Sequence, residues 1–253
     1  MAAIVALDQV GYAFAGAPAP LYKGVTLAVE RGAFTTVVGA SGAGKSTLLR
    51  IVANLIAPTE GTIAHSIAGG ADRRPIAMVF QEPRLMPWRR VADTVALGLE
   101  GLSLAGDERR ERVRAALALV GLGELGARWP HELSGGQRQR VGIARAIAVG
   151  PDLLLMDEPF GALDAITRQA MQDELLRIWQ ETGTSILFVT HDIDEAVYLG
   201  DRVLLLGGAP TRISETYAVT APRPRTRGTQ AVASIAARVK SDLSDLFSAG
   251  AGI

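Results

Sequence analysis

The residue types best able to act on phosphate fall in four short stretches of this sequence. The first is Gly39-Ala40-Ser41-Gly42-Ala43-Gly44-Lys45-Ser46-Thr47. Its glycines let the backbone turn N–H groups inward around phosphate oxygens, and a following helix adds positive potential at its N-terminus. Lys45 can reach the terminal phosphates and the Ser46 hydroxyl can ligate magnesium. Taken alone, such a loop implies only that a nucleoside triphosphate is bound. The second stretch, Leu153-Leu154-Leu155-Met156-Asp157-Glu158, is an apolar run ending in two carboxylates. It reads as a buried strand whose C-terminal end lies at the edge where open α/β sheets bind ligands. Asp157 suits the magnesium shell, and Glu158 suits orienting or deprotonating an attacking water.

The third is His191, which closes the apolar strand over 185–190 and should reach the same edge. A neutral imidazole there can hydrogen-bond the terminal phosphate or the water. His65 and His131 have no comparable placement and read as structural. The fourth is Leu133-Ser134-Gly135-Gly136-Gln137, which should open a helix running through 138–149. Ser134 and the glycine N–H groups then make a second anion-binding helix terminus. One chain thus has two such termini but one lysine-bearing loop. The simplest geometry sandwiches each nucleotide between the loop of one subunit and the Ser134 terminus of another.

These groups need elements to hold them, and the periodicity supplies candidates. Residues 1–38 read as strands and turns, with Val25, Leu27 and Val29 alternating with more polar positions and 33–38 forming a buried strand. A helix is expected over 46–57, stopped by Pro58, and short strands return over 62–80. From 84 to 150 the character is helical. Val113, Ala116, Leu117 and Val120 recur at helical spacing, and Gly121 and Gly123 mark the end. Strands at 153–156 and 186–190, separated by a helix over 166–181, imply a mainly parallel α/β core with a helical insertion. In the tail, Pro222-Arg223-Pro224-Arg225 reads as an extended linker. Val232, Ile235, Val239, Leu243, Leu246 and Phe247 then mark one face of an amphipathic helix, packed on its own domain or serving a partner or membrane surface.

Bulk properties remove several function classes. The 26 basic and 26 acidic residues cancel, against a nucleic-acid binder that relies on a broad basic face. The absence of cysteine excludes disulfides and thiolate metal sites. The first ten residues carry no basic segment and meet Asp8 early, so they do not read as a signal peptide. No apolar run approaches the roughly 18 residues of a membrane span. A soluble cytosolic chain is expected, with any membrane role supplied by a partner.

In their order along the chain these motifs resemble those of an ABC-transporter nucleotide-binding subunit, over roughly residues 1–208. The resemblance implies an α/β P-loop NTPase fold, with a RecA-like parallel sheet core, an N-terminal antiparallel β part and an inserted helical subdomain. It divides the chain into a core with β part at 1–83 and 151–210, a signature-bearing helical part at 84–150, and a C-terminal linker and helix at 211–253. Gln81 takes the place of the Q-loop residue, in contact with magnesium and nucleotide, and 133–137 is the signature. Asp157-Glu158 is the second Walker element, Gly161-Ala162-Leu163-Asp164 resembles the D-loop, and His191 the switch histidine. In this family an aromatic ahead of the phosphate loop stacks on adenine. Spacing after Val10 gives Phe14, with Tyr12 as the alternative. The implied reaction is ATP plus water to ADP and phosphate, with ATP and Mg2+ as ligands and Glu158, His191 and Lys45 as the catalytic groups. The implied partners are a second copy of the ATP-binding subunit, two integral-membrane permease subunits and, indirectly, a solute-binding protein, with no nucleic acid. The implied location is the cytoplasm, peripheral on the inner face of the cell membrane.

A narrower resemblance is carried by Phe80-Gln81-Glu82-Pro83-Arg84-Leu85-Met86-Pro87-Trp88-Arg89 and by Phe160-Gly161-Ala162-Leu163-Asp164. These are similar to the importer subfamily for nitrate, sulfonates and taurine, which also includes carriers of pyrimidine precursors of thiamine. In that subfamily the stretch after Gln81 faces the groove that accepts a coupling helix from the membrane subunit. Leu85, Met86 and Trp88 would give an apolar anchor, and Arg84, Arg89 and Arg90 a polar rim. A core position for Trp88 is equally open. The alternatives are an exporter or lipid-transport ATPase, or a soluble ABC ATPase outside transport.

Overall fold

The computed structural model describes residues 2–67 and 69–250, with the side chains of 247–250 excepted. Its elements run β1 (Ala3–Tyr12), β2 (Tyr22–Glu30), β3 (Phe34–Gly39), α1 (Lys45–Val52), β4 (Glu60–His65), β5 (Ile76–Val79), α2 (Val91–Leu97), α3 (Gly106–Leu119), α4 (Gly135–Ile147), β6 (Leu153–Asp157), α5 (Ala165–Thr182), β7 (Ser185–Thr190), α6 (Ile193–Leu199), β8 (Arg202–Gly207), β9 (Arg212–Ala218) and α7 (Gln230–Gly250). They form two compact units, one from the N-terminal 66 residues with everything from Ser185 onward, the other from Ile67 to Thr184. Among the described residues no helix is long and apolar enough to cross a membrane.

In the first unit β1 pairs antiparallel with both β2 and β4. The strands β7, β3 and β8 lie parallel in that order, and β9 adds an antiparallel edge to β8. Every residue of β3 and β7 is buried. That is the expected state of short apolar and β-branched runs in a parallel sheet, which is covered on both faces. Buried Thr36 of β3 meets its obligation with one O–H that the carbonyls of Ala196 and Arg202, 3.2 and 3.1 Å away, can share. One core cluster joins Val38, Ile193, Val197, Val203 and Leu205 with Val232, Ala236 and Val239 of α7. The amphipathic tail helix therefore packs on its own unit, with Ile235, Leu243 and Leu246 partly buried against the same cluster. The Phe247 side chain, assigned to this face, lies outside the described residues. Within the stretch read as a linker, 212–218 is strand β9, and Arg225 is only 7% exposed.

Helix α1 ends at Val52, five residues before the expected stop. Asn54 takes the left-handed conformation, with φ at 57°, and the Leu55 N–H folds back to the Arg50 carbonyl at 2.9 Å. Asparagine is one of the few residues that tolerates this geometry, so it terminates the helix and Pro58 merely follows.

The second unit is mainly helical. Its strands β5 and β6 pair parallel, from Ile76 opposite Leu153 to Val79 opposite Met156. Helix α3 buries Val113, Ala116 and Leu117, with Val120 just beyond them, and gives way at Gly121, where φ is 70°.

Candidate nucleotide site and family

In the first unit β3 and β7 run in register, Val38 opposite Thr190. The phosphate loop after Gly39 and His191 after Thr190 therefore leave neighbouring parallel strands at the same edge. Gly39 lies so close to β8 that a Cβ there would stand 2.3 Å from the Leu206 carbonyl oxygen. At Gly44 φ is 89°, and a Cβ would meet the Tyr22 hydroxyl at 2.5 Å. Glycine is required at both places by close approach, and at Gly44 by dihedral as well. Lys45 is buried, and its Nζ donates to the carbonyls of Gly39 and Ala40, at 3.0 Å each. Gly44 is the N-cap of α1 and brings no capping side chain. A helix N-terminus of this kind can serve an anion.

Tyr22 is a functional support that sequence reasoning missed. It is buried, and its hydroxyl donates to the Gly44 carbonyl, bracing the loop from behind. Burial pushes the Tyr22 phenol up, so it stays a neutral donor. Tyr12 faces Tyr22 across the β1–β2 ladder. Phe14 stands edge-on to Tyr12, with ring centres 5.1 Å apart and planes at 84°, and is itself 51% exposed. The ladder and the Tyr22 bond thus bring this aromatic pair close to the loop, and Phe14 is its exposed member. His191 is also exposed. Its neighbour Asp192 caps α6 by accepting from the Glu195 N–H at 3.1 Å, while its own N–H donates to Thr190 Oγ1 at 3.0 Å.

In the second unit the pairing of Val79 with Met156 sends Gln81 and the Asp157-Glu158 pair out of one strand edge. A Cβ on Gly161 would lie 3.5 Å from Gln81 Nε2 and 4.0 Å from Glu158 Oε2, so the amide and the carboxylate flank the same turn. Glu158 itself has φ at 43°, left-handed for a residue with a side chain. Strain of that kind costs of order 1–3 kcal/mol and clusters at functional sites. Asp164 caps α5, accepting from the Thr167 N–H at 3.0 Å, and hydrogen bonds from Thr167 hold its carboxyl below the usual range. Ser46, Asp157 and Gln81 all offer oxygen donors, the hard kind that magnesium takes.

Ser134 caps α4 reciprocally. Its Oγ accepts from the Gln137 N–H at 3.2 Å while its own N–H donates to Gln137 Oε1 at 2.9 Å. Gly135 and Gly136 pack against the start of α5, where a Cβ on Gly136 would stand 2.9 Å from Thr167 Cγ2. From its other side α4 grips the segment around Gln81. Gln139 Nε2 donates to the Phe80 carbonyl at 3.3 Å and Arg145 Nη2 to the Pro83 carbonyl at 2.9 Å. Burial lowers the Arg145 pKa, which marks how far that guanidinium is withdrawn from solvent. Trp88 is 71% exposed, so it is a surface residue and not part of the core.

A family described as ABC transporter matches residues 22–161. The chain belongs to the ABC transporter family. As an ABC subunit it binds ATP and hydrolyses it in the service of transport. The aliphatic sulfonates import ATP-binding protein of Agrobacterium fabrum is 44% identical to this ABC chain, over 91% of this chain and 80% of its own length. The taurine import ATP-binding protein of Chromobacterium violaceum is 47% identical, over 85% and 83%. Among solved ABC structures, an ATP-binding cassette seen as a dimer with ADP and phosphate superposes with a TM-score of 0.71 at 30% identity, covering 86% of this chain and all of that one. A cassette from Clostridium perfringens, part of an ABC transporter complex, gives 0.76 at 28% identity, with 86% and 89% covered.

Proposed function

We propose that the chain is the ATPase subunit of an importer for small organic anions of the sulfonate or taurine type. In this reading it works as a pair of identical cassettes at the cytoplasmic face of the membrane, on two permease subunits supplied by a solute-binding protein. The observation that carries the reading is the presence, in one chain, of two helix N-termini suited to phosphate, at Gly44–Lys45 and at Ser134, with a single loop lysine. The extent of likeness to sulfonate and taurine import subunits, 44–47% identity over 85–91% of the chain, supports the direction and the class of cargo.

Each residue then has a part. The N–H groups of 39–47 cradle the phosphates, Lys45 neutralises the β- and γ-phosphates, and Phe14 stacks on adenine, a contact worth about 1–3 kcal/mol. Ser46, Gln81 and Asp157 would hold magnesium, which when bound would supply positive charge to offset that of the nucleotide. Glu158 orients and deprotonates the water, and His191 hydrogen-bonds the terminal phosphate. Ser134, Gly135, Gly136 and Gln137 act on the nucleotide of the other copy, and Asp164 stands at the junction between copies. Catalysis here is positioning and charge stabilisation, not covalent chemistry.

Ser134→Ala tests the pairing. A hydrogen bond to a charged group contributes about 1.5–3 kcal/mol, so turnover should fall roughly ten- to a hundredfold. ATP affinity of the isolated chain, measured by equilibrium binding, should stay within about twofold, because the loop of the same chain is untouched. Equal losses in both would sink the shared site. Trp88→Ala tests the coupling to permease subunits. With the exposed indole gone, reconstituted transport should drop about thirtyfold while ATPase of the isolated subunit holds, since a central aromatic anchor carries roughly 2 kcal/mol or more. Unchanged transport would remove Trp88 from the coupling surface.

A further inference from the structure

Almost no chain separates His191 from helix α6. Thr190 ends β7, His191 follows, and Asp192 already caps the helix. What fixes α6 therefore constrains His191 from one side, as β7 does from the other. Much of that fixing comes from the C-terminal segment.

At its beginning, α6 is held by Asp194, whose two carboxylate oxygens lie 2.9 and 2.8 Å from Lys240 Nζ of α7. Along its length Ile193, Ala196 and Val197 pack in one cluster with Val232, Ala236 and Val239 of α7. At its end the strap over 222–225 takes over. Arg225 Nη1 lies 3.1, 3.0 and 2.6 Å from the carbonyl oxygens of Val197, Tyr198 and Gly200. The carbonyl between them, Leu199, accepts from Arg223. Every carbonyl from 197 to 200 thus lies within hydrogen-bonding distance of an arginine nitrogen, with the two N–H groups of Arg225 Nη1 shared among three of them. The last carbonyls of a helix lack partners within it and carry partial negative charge, so two arginines are a matched cap.

The strap is anchored in turn. Arg225 also donates from Nε to the Ala221 carbonyl and from Nη2 to the Val219 carbonyl, at 3.1 Å each. Arg223 donates to Asp201 Oδ1 at 2.8 Å, while Asp201 Oδ2 accepts from the Phe34 N–H at 2.9 Å, at the start of the strand that leads to the phosphate loop. Arg227 stacks on Tyr198, 3.8 Å from the ring centre. Burial, with the charge of Arg223 beside it, lowers the Arg225 pKa to about 10, which leaves it protonated at neutral pH. A buried guanidinium is expensive to desolvate, and an apolar residue would serve mere packing as well. Its N–H groups, in their fixed fork, are what the helix end uses.

We propose that Arg225 is a positioning residue for ATP hydrolysis: by capping α6 it fixes where His191 stands, and so ties the C-terminal strap and α7 to the terminal-phosphate contact. This rests on the role proposed above for His191. A displacement of about 1 Å at a reacting group costs up to a hundredfold in rate, and the cap is removed without touching the phosphate loop.

The chain has three histidines, which makes the imidazole signals in a proton–carbon correlation spectrum a direct readout. Full-length Arg225→Met, Arg225→Lys and Lys240→Met are compared with the parent for turnover, KM and these signals. For Arg225→Met, kcat should fall about tenfold with KM for ATP within about twofold, the pattern of a lost transition-state contact. The His191 signal should shift or broaden while those of His65 and His131 hold. Arg225→Lys should recover part of kcat and bring the His191 signal back toward the parent. If Arg225→Met does not fold, the exposed Lys240→Met variant decides, with the same signature at about a twofold loss of kcat. A His191 signal that stays put, or three signals that move together, overturns the proposal. Should His191→Ala keep near-normal turnover while Arg225→Met still moves the His191 signal, the hydrolytic role of His191 falls and takes the coupling with it. The brace on α6 would then stand as structure alone.

Discussion

Glu158→Gln lowers ATP turnover about a hundredfold or more and leaves ATP affinity within about threefold, the size expected when a positioned general base is lost. The substitution keeps the shape of the side chain and replaces a charged, basic carboxylate with a neutral amide that cannot take the proton. The backbone sets the expectation as much as the carboxylate does. Glu158 is held in a left-handed conformation that a residue with a Cβ rarely adopts, in the turn closed by the Gly161 N–H at 3.1 Å from the Glu158 carbonyl. Its carboxylate and the Gln81 amide both lie near Gly161. Steady-state phosphate release and equilibrium nucleotide binding, measured on the same preparation, check the result. Turnover within threefold of the parent would transfer the water to another group.

The second large effect belongs to Lys45. Unit charges 4 Å apart attract by about 4 kcal/mol at an effective dielectric near 20, and if somewhat more than half survives competition from solvent, Lys45→Met weakens ATP binding about a hundredfold. The loss should grow from AMP to ADP to ATP if the ammonium reads the outer phosphates as proposed. Lys45 also donates to the carbonyls of Gly39 and Ala40, so a thermal melt of the variant must accompany the titration. A uniform loss across the three nucleotides would mean that the loop had lost its shape rather than its charge.

The groups proposed to serve phosphate stand out in the sequence because their chemistry constrains neighbouring residues. A turn that points N–H groups inward needs glycines at fixed offsets, and a strand that delivers carboxylates needs an apolar run before them. What supports those groups was not legible. Tyr22 braces Gly44 from another strand. Gln139 and Arg145 hold 80–84 from a helix some 60 residues onward. Arg225 closes α6 from within a stretch that its prolines made look like a linker. Each of these acts on a backbone carbonyl, and every residue carries one, so no sequence pattern marks the acceptor. The Asn54 stop of α1 was missed for the opposite reason. Pro58 gave a louder signal for the same event, a few residues too late.

In the role proposed for Ser134, one hydroxyl serves two directions at once. The Ser134 oxygen accepts the Gln137 N–H through a lone pair, which leaves its hydrogen free to rotate toward a phosphate oxygen. Donor and acceptor on a single atom would let the helix keep its cap as a nucleotide arrives, so the proposed engagement of a second copy need not unwind the turn. An aspartate would cap α4 as well as serine does. It would bring a negative charge and no proton to the same spot, and the helix would form in front of a nucleotide it repelled.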